Sequence, residues 1–258
     1  MELENNFENN KFLINPSSQV YYINEILKKY GYKNGKNKVD YAASIGRNDI
    51  ITLLIQLGYK GHLEVVKYLD SLGYRGEEEW TIDYAAKEGH LEVVKYLHSV
   101  GYNAYHADVK EQNRAIEYAA SNGHLEVVKY LHSIGYNCYN NAINNAAENG
   151  HLEVVKYLHS IGYEVTDWAI NYAAGNGHLE VIKYLHSIGY IGTDYAINNA
   201  AENGHLEVIK YLHSIGYKGT ENAINNAAEN GHLEVVKYLH SIGYKCTYHA
   251  INTFRYTY

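Results

Sequence analysis

Val154, Leu158 and Ile161 fall at i, i+4 and i+7, and Leu152 and Val155 widen the same stripe. Glu153, Lys156 and His159 lie off it. This spacing predicts an amphipathic helix over "HLEVVKYLHSI", residues 151–161. The stretch before it, "YNNAINNAAENG" (139–150), sets Ile143, Ala146 and Ala147 at i, i+3 and i+4. It predicts a shorter helix whose alanines let neighbours approach closely. Gly150 is expected to close that helix in a left-handed conformation, and the glycine of "SIGY" to close the next. Thr166, Thr193, Thr220 and Thr247 precede later copies of the first helix and are read as N-caps. The unit is therefore helix, tight glycine turn, helix, short loop.

The pattern recurs. "ENGHLEVVKYLHSIGY" occupies 148–163 and stands again, letter for letter, at 229–244. The glycines of "GH" fall at 61, 89, 123, 150, 177, 204 and 231, in steps of 28, 34 and then 27 four times. A fixed period in this range marks stacked units, none of which buries its apolar face alone.

"AINNAAENGHLEVVKYLHSIGY" resembles the ankyrin repeat, above all the form found in proteins of giant DNA viruses of amoebae. The "AA..GHLEVVKYL" run and the glycine ending the second helix carry the likeness, from about Lys38 to Tyr258. Two features depart from the family. Its T-P-L-H tetrad is absent, with Ala142 in the proline place and Asn144 in the histidine place. The period is 27 where the family usually has 33. The missing residues fall where ankyrin repeats carry a β-hairpin. The expected fold is thus all-α, an ankyrin-like solenoid of helix-turn-helix units with short loops and mostly lost hairpins.

Residues 1–19 are polar and Asn-rich and are expected to be a flexible N-terminal segment, with the solenoid over 20–258. Its part 20–74 is irregular: "VYYINEILKKYGY" resembles a worn second helix, and at 57–66 two second-helix patterns meet with no first helix between them. The part 75–246 is regular, broken by an insertion around "NAYHADVKEQNR" of about hairpin length. It is either a surviving finger or a loose loop. A lone half-repeat, 247–258, follows.

Composition narrows the function. A net charge of −7 opposes nucleic-acid binding, which needs a basic face. No signal peptide and no apolar run long enough to cross a bilayer is present, so a cytoplasmic protein is expected, in the host cytoplasm if the chain is viral. Cys138 and Cys246 occupy one column of the repeat, 108 residues apart. They are expected to be too far apart to pair, and so to be free thiols in a reducing compartment.

Candidate chemistry is sparse. Thirteen of the fifteen histidines belong to the repeat, at "GH" or "LHS". His151 and His159 are about 12 Å apart along a helix, too far to share a metal ion. The first is expected to support the helix turn, the second to sit favourably at a helix C-terminus. Glu153 and Lys156 form a solvated surface pair. No phosphate loop, nucleophile elbow or Cys/His constellation occurs. No enzyme activity, cofactor or metal is expected. The inner asparagines (Asn144, Asn145, Asn198, Asn199, Asn225, Asn226) either line a concave binding face or are polar filler.

One column varies: Trp80, Arg114, Asn141, Trp168, Tyr195, Asn222 and His249. Positions free to differ between copies are surface positions, and Trp, Tyr and Arg are typical interface anchors. With Tyr105, His106 and Asp108 of the insertion, the residues Trp80, Arg114, Asn141, Trp168, Tyr195 and Asn222 are the candidate partner-binding set. The expected function is a monomeric, non-catalytic scaffold that binds a partner protein, of the host if the chain is viral, along the loop edge and concave face. Two alternatives stand beside it: a partly eroded repeat array with no dedicated partner, and a nucleic-acid-binding helical repeat.

Overall fold

The computed structural model describes residues 63, 66–67, 70, 78–102, 114–137 and 141–247, with the side chains of 78–80 left out. The described residues form twelve α-helices and no strand. They are α1 (Glu78–Lys87), α2 (Leu91–Ser99), α3 (Arg114–Ser121), α4 (Leu125–Ser133), α5 (Asn141–Glu148), α6 (Leu152–Ser160), α7 (Trp168–Gly175), α8 (Leu179–Ser187), α9 (Tyr195–Glu202), α10 (Leu206–Ser214), α11 (Glu221–Glu229) and α12 (Leu233–Ser241). Odd-numbered helices are the inner helices of the repeat and even-numbered ones the outer. The all-α solenoid expected from the period is what the helices build.

The chain divides into two compact bodies, Met1–Ala85 with His90–Tyr105, and Ala86–Gly89 with His106–Tyr258. In the first, Ile82 and Ala85 of α1 and Val93, Val94 and Leu97 of α2 are buried. Tyr96 donates to Asp70 at 2.8 Å, where later copies carry histidine in place of that aspartate.

In the second body five helix pairs stack. The core is a column of identical letters: the isoleucine and two alanines of each inner helix and the first Val, second Val or Ile, and Leu of the outer helix are almost all inaccessible. Alanine matters because inner helices pack directly on inner helices of the next unit, and backbones approach more closely along this row than along the outer one. The most extensive packing along this row joins α7 and α9. There Gly175 stands in the column of Glu148 and Glu202, and a Cβ on it would lie 3.2 Å from the Cβ of Asn199.

Gly150 ends α5 at φ +78°, the left-handed closure its place in the pattern predicts. The capping expectation holds cleanly at Thr220, whose side chain accepts from the Asn222 N–H. At α7 and α9 the residue flanking the helix is instead Asp167 or Asp194, in helical conformation and with no side-chain cap. Thr193 still accepts from the Tyr195 N–H at 3.3 Å. The threonines have a second partner, which explains their repetition. The Thr193 N–H donates to Asn171 Oδ1 at 3.0 Å and Asn171 Nδ2 donates back to Thr193 Oγ1 at 2.9 Å. Asn198 and Thr220 repeat the clasp at 3.0 Å in both directions. Asn144 accepts from Thr166 N–H at 3.1 Å and Asn225 from Thr247 N–H at 2.8 Å. Asn144, Asn198 and Asn225 are thus joints between units. Neither filler nor a free binding face describes them.

The "GH" histidines are joints as well. A Cβ on Gly123 or Gly150 would fall 2.5 Å from Nδ1 of His151 or His178 in the following unit. His151 Nε2 lies 3.0 Å from the Ser121 carbonyl, and His232 Nε2 3.0 Å from that of Glu202. A carbonyl only accepts, so Nε2 carries the proton. Each ring therefore lies on the preceding unit's glycine turn and caps its inner helix. Its role reaches beyond its own helix turn. The "LHS" histidines meet the next unit's tyrosine, with Nδ1 of His132, His159 and His213 at 3.0, 3.2 and 3.1 Å from the hydroxyls of Tyr157, Tyr184 and Tyr238.

The "GY" tyrosines complete the joint. Gly192 N–H donates to Tyr217 Oη, and Gly219 N–H to Tyr244 Oη, both at 2.7 Å. Where Val165 replaces that glycine, the bond to Tyr190 Oη lengthens to 3.4 Å. A Cβ on Gly192 or Gly219 would come within 2.7 Å of an isoleucine methyl, so the valine loop cannot sit as deep.

The worn helix expected over 20–32, the insertion and the terminal half-repeat after Thr247 lie outside the described residues, as does most of the 57–66 junction.

Candidate protein-interaction face

An exposed site on this body has to come from positions that the joints leave free. Most inner-helix positions are consumed: the isoleucine and alanines by the core, the first asparagine by its threonine. Two columns remain on the open side, the residue just before the first alanine of each inner helix and the residue one turn on. In α7 these are Trp168 and Tyr172, and in α9 they are Tyr195 and Asn199.

Trp168 is 53% exposed, Tyr172 43% and Tyr195 55%. Trp168 and Tyr172 stack, with ring centroids 5.9 Å apart and planes 27° from parallel. Tyr195 joins from the next unit, 6.3 Å from Trp168 and tilted by 33°. The first pair is i, i+4 on one helix, which places side chains on one face. The second pair is brought together by the close α7–α9 packing that Gly175 permits. The three rings form one continuous exposed aromatic platform, stacked between Trp168 and Tyr172 and tilted between Trp168 and Tyr195. Asp167 and Asp194, both exposed, immediately precede its two anchors.

Of the candidate set, the structure joins Trp168 and Tyr195. Asn141 and Asn222 are exposed at the equivalent starts of α5 and α11, and Arg114 is half-buried at the start of α3. Trp80 starts its column within α1, but its side chain is not described, and Tyr105, His106 and Asp108 lie outside the described residues. Tyr172 was not singled out from the sequence. The signal was present in its column, Tyr118, Asn145, Tyr172, Asn199 and Asn226, which also varies, and in its i+4 relation to Trp168. Ile191, 67% exposed on the loop before Tyr195, is a second addition.

The outer helices offer a different surface. Each carries its Glu–Lys pair at 2.7 Å, as in Glu153–Lys156, Glu180–Lys183 and Glu207–Lys210. Exposed pairs of this spacing contribute a few tenths of a kcal/mol. Among the described residues no three His, Cys, Asp or Glu side chains converge as a metal ion requires. Cys246 is a free thiol raised above its ordinary pKa by burial, with the Glu229 carboxylate adding to the effect, which makes it a poor nucleophile. Cys138 lies outside the described residues. No described helix is long and apolar enough to cross a membrane.

A search of curated proteins returned no match. Among solved structures, the crystal structure of the human ASB11 ankyrin repeat domain is similar to this chain at a TM-score of 0.53 and 20% identity, covering 64% of this chain and 84% of that one. A likeness at this identity speaks to the fold. The family model for ankyrin repeats (3 copies) matches residues 58–142, 82–168, 116–199 and 170–250. These matches overlap into one run covering most of the sequence and take in every joint described above. The chain belongs to the ankyrin-repeat family.

Proposed function

We propose that the chain is a non-catalytic scaffold that binds a partner protein along the loop edge and inner-helix face of its solenoid. Ankyrin repeats generally mediate protein–protein interaction and are generally non-catalytic. The single observation supporting a binding edge in this chain is the exposed platform of Trp168, Tyr172 and Tyr195. Leaving three large rings in water costs solubility, and nothing in the fold requires aromatics there, since Asn141 and Asn222 hold the same place in neighbouring units. The short repeat and its resemblance to giant-virus proteins add the finer reading that the partner is a host protein met in the host cytoplasm.

The test is cross-linking and mass spectrometry on tagged full-length chain in its native or host cell, beside a Trp168→Ala, Tyr195→Ala variant checked for helicity. A reproducible partner lost in the variant supports the scaffold and its edge. A partner kept by the variant moves binding elsewhere on the solenoid. No reproducible partner for either leaves an eroded repeat array without a dedicated partner as the reading.

A further inference from the structure

Charge is divided unevenly over the second body. Between Asn141 and Glu229 every outer helix carries one Glu and one Lys, already paired, and is neutral. The inner helices and their entry loops in the same span hold seven carboxylates, Asp167 and Asp194 among them, against one cation, Lys218. These segments therefore carry most of the chain's net charge of −7, and Asp167, Asp194 and Glu221 stand at the starts of the inner helices, the end that carries Trp168 and Tyr195.

Three occupants can be weighed against this arrangement. A nucleobase would stack on the rings, but its phosphates would meet the carboxylates with Lys218 as the one cation in these loops to hold them. An aliphatic or aromatic side chain would cover the rings and, in doing so, desolvate Asp167 and Asp194 unpaired, which is unfavourable. A cation satisfies both features, since the ring faces attract positive charge and the carboxylates pair with it. Between the two protein cations, the platform favours the flat one. A guanidinium stacks on an aromatic plane, is weakly hydrated, and keeps its edge N–H groups free to donate to a carboxylate, whereas an ammonium holds its water and has no plane to stack.

We infer that the Trp168–Tyr172–Tyr195 platform takes an arginine side chain from an extended cationic segment of a partner protein, the guanidinium lying on the indole and its N–H groups turned to Asp167 and Asp194. This rests on the scaffold reading and names the chemistry of its partner. The three rings span two units, and the next inner helix along the stack also starts with an acid, Glu221.

The experiment uses the full chain and fluorescence anisotropy of labelled twelve-residue Gly/Ser peptides carrying four arginines, four lysines or four glutamates, with a twelve-nucleotide oligouridylate alongside. The arginine peptide is expected to bind about fivefold or more tighter than the lysine peptide, and the glutamate peptide and oligouridylate not at all. Trp168→Ala is expected to weaken arginine-peptide binding about tenfold and to erase the preference for arginine over lysine. Asp167→Asn with Asp194→Asn is expected to weaken both cationic peptides and to flatten the salt dependence. All of these positions are exposed, so the variants retain the fold, which circular dichroism verifies. Equal binding of arginine and lysine peptides, binding unmoved by Trp168→Ala, tighter binding of the oligouridylate, or no binding at millimolar peptide would each overturn the inference. If a cross-linked partner depends on Trp168 while the arginine peptide does not bind, the inference falls and the scaffold stands.

Discussion

Gly150 and Gly162 end the two helices of one unit, at φ +78° and +96°. Their backbones do the same thing and their surroundings do not. A methyl on Gly150 would meet the ring of His178 at 2.5 Å, and a methyl on Gly162 would meet nothing within 4 Å. The first turn is a joint between units and the second is a bend within one. The same split separates two adjacent asparagines. Asn198 is buried and clasps Thr220 at both ends of its amide, whereas Asn199, half-buried on the next column, makes no such clasp. Residues repeated in every copy can thus be repeated for two unlike reasons, a local conformational need or a contact with the next copy.

The glycine pair gives the largest expected effect. Gly162→Ala is expected to destabilise by about 1–2 kcal/mol, the cost of a left-handed non-glycine residue. Gly150→Ala adds a clash with a ring held in place by its hydrogen bond to the Glu148 carbonyl, for a total of about 3 kcal/mol. Urea denaturation of both variants checks the gap, and equal midpoints would remove the joint from the explanation.

The asparagine pair comes next. Asn198→Ala leaves the Thr220 N–H without its acceptor and is expected to cost about 1–3 kcal/mol. Asn199→Ala keeps the Cβ that packs near Gly175 and is expected to stay within about 0.5 kcal/mol. Comparable losses at the two sites would contradict the division into clasp and surface.

A smaller effect follows from pH. Burial lowers the pKa of His178 below 6.5, with His151 and His205 adding repulsion against the opposing pull of the Glu148 carbonyl. A histidine whose folded pKa is depressed binds its proton more readily when unfolded. Its contribution is therefore complete above about pH 6.5 and is lost as pH falls through the folded value. The urea midpoint is expected to drop between pH 7.5 and 5, and His178→Gln to reduce that drop. An unchanged pH slope in the variant would show that the joint does not titrate.

The smallest expected effect belongs to the exposed edge. Trp168→Ala removes a half-exposed ring that no joint uses and is expected to change stability by less than about 0.5 kcal/mol. Its consequence should appear in binding alone. A loss of stability as large as that of Asn198→Ala would make the platform a structural element.

Much of this was legible in the letters. The helices, their tight glycine turns and the alanine row follow from a 3.6-residue apolar stripe recurring every 27 residues, since such a stripe is buried only by stacking, while the family was legible as a resemblance in the "AA..GHLEVVKYL" run. The varying column was legible too, because a position that holds Trp, Tyr and Asn in successive copies is not held by the core. What one dimension could not show is which repeated polar residues face the next copy. Asn198 and Asn199 are adjacent letters with opposite fates, and His151 reaches back 30 residues to Ser121. Those contacts depend on the spacing and register of stacked helices, which no single unit specifies. The platform has the same origin: the sequence placed Trp168 and Tyr195 in one column, and the close packing of α7 on α9 at Gly175 brought their rings together with Tyr172.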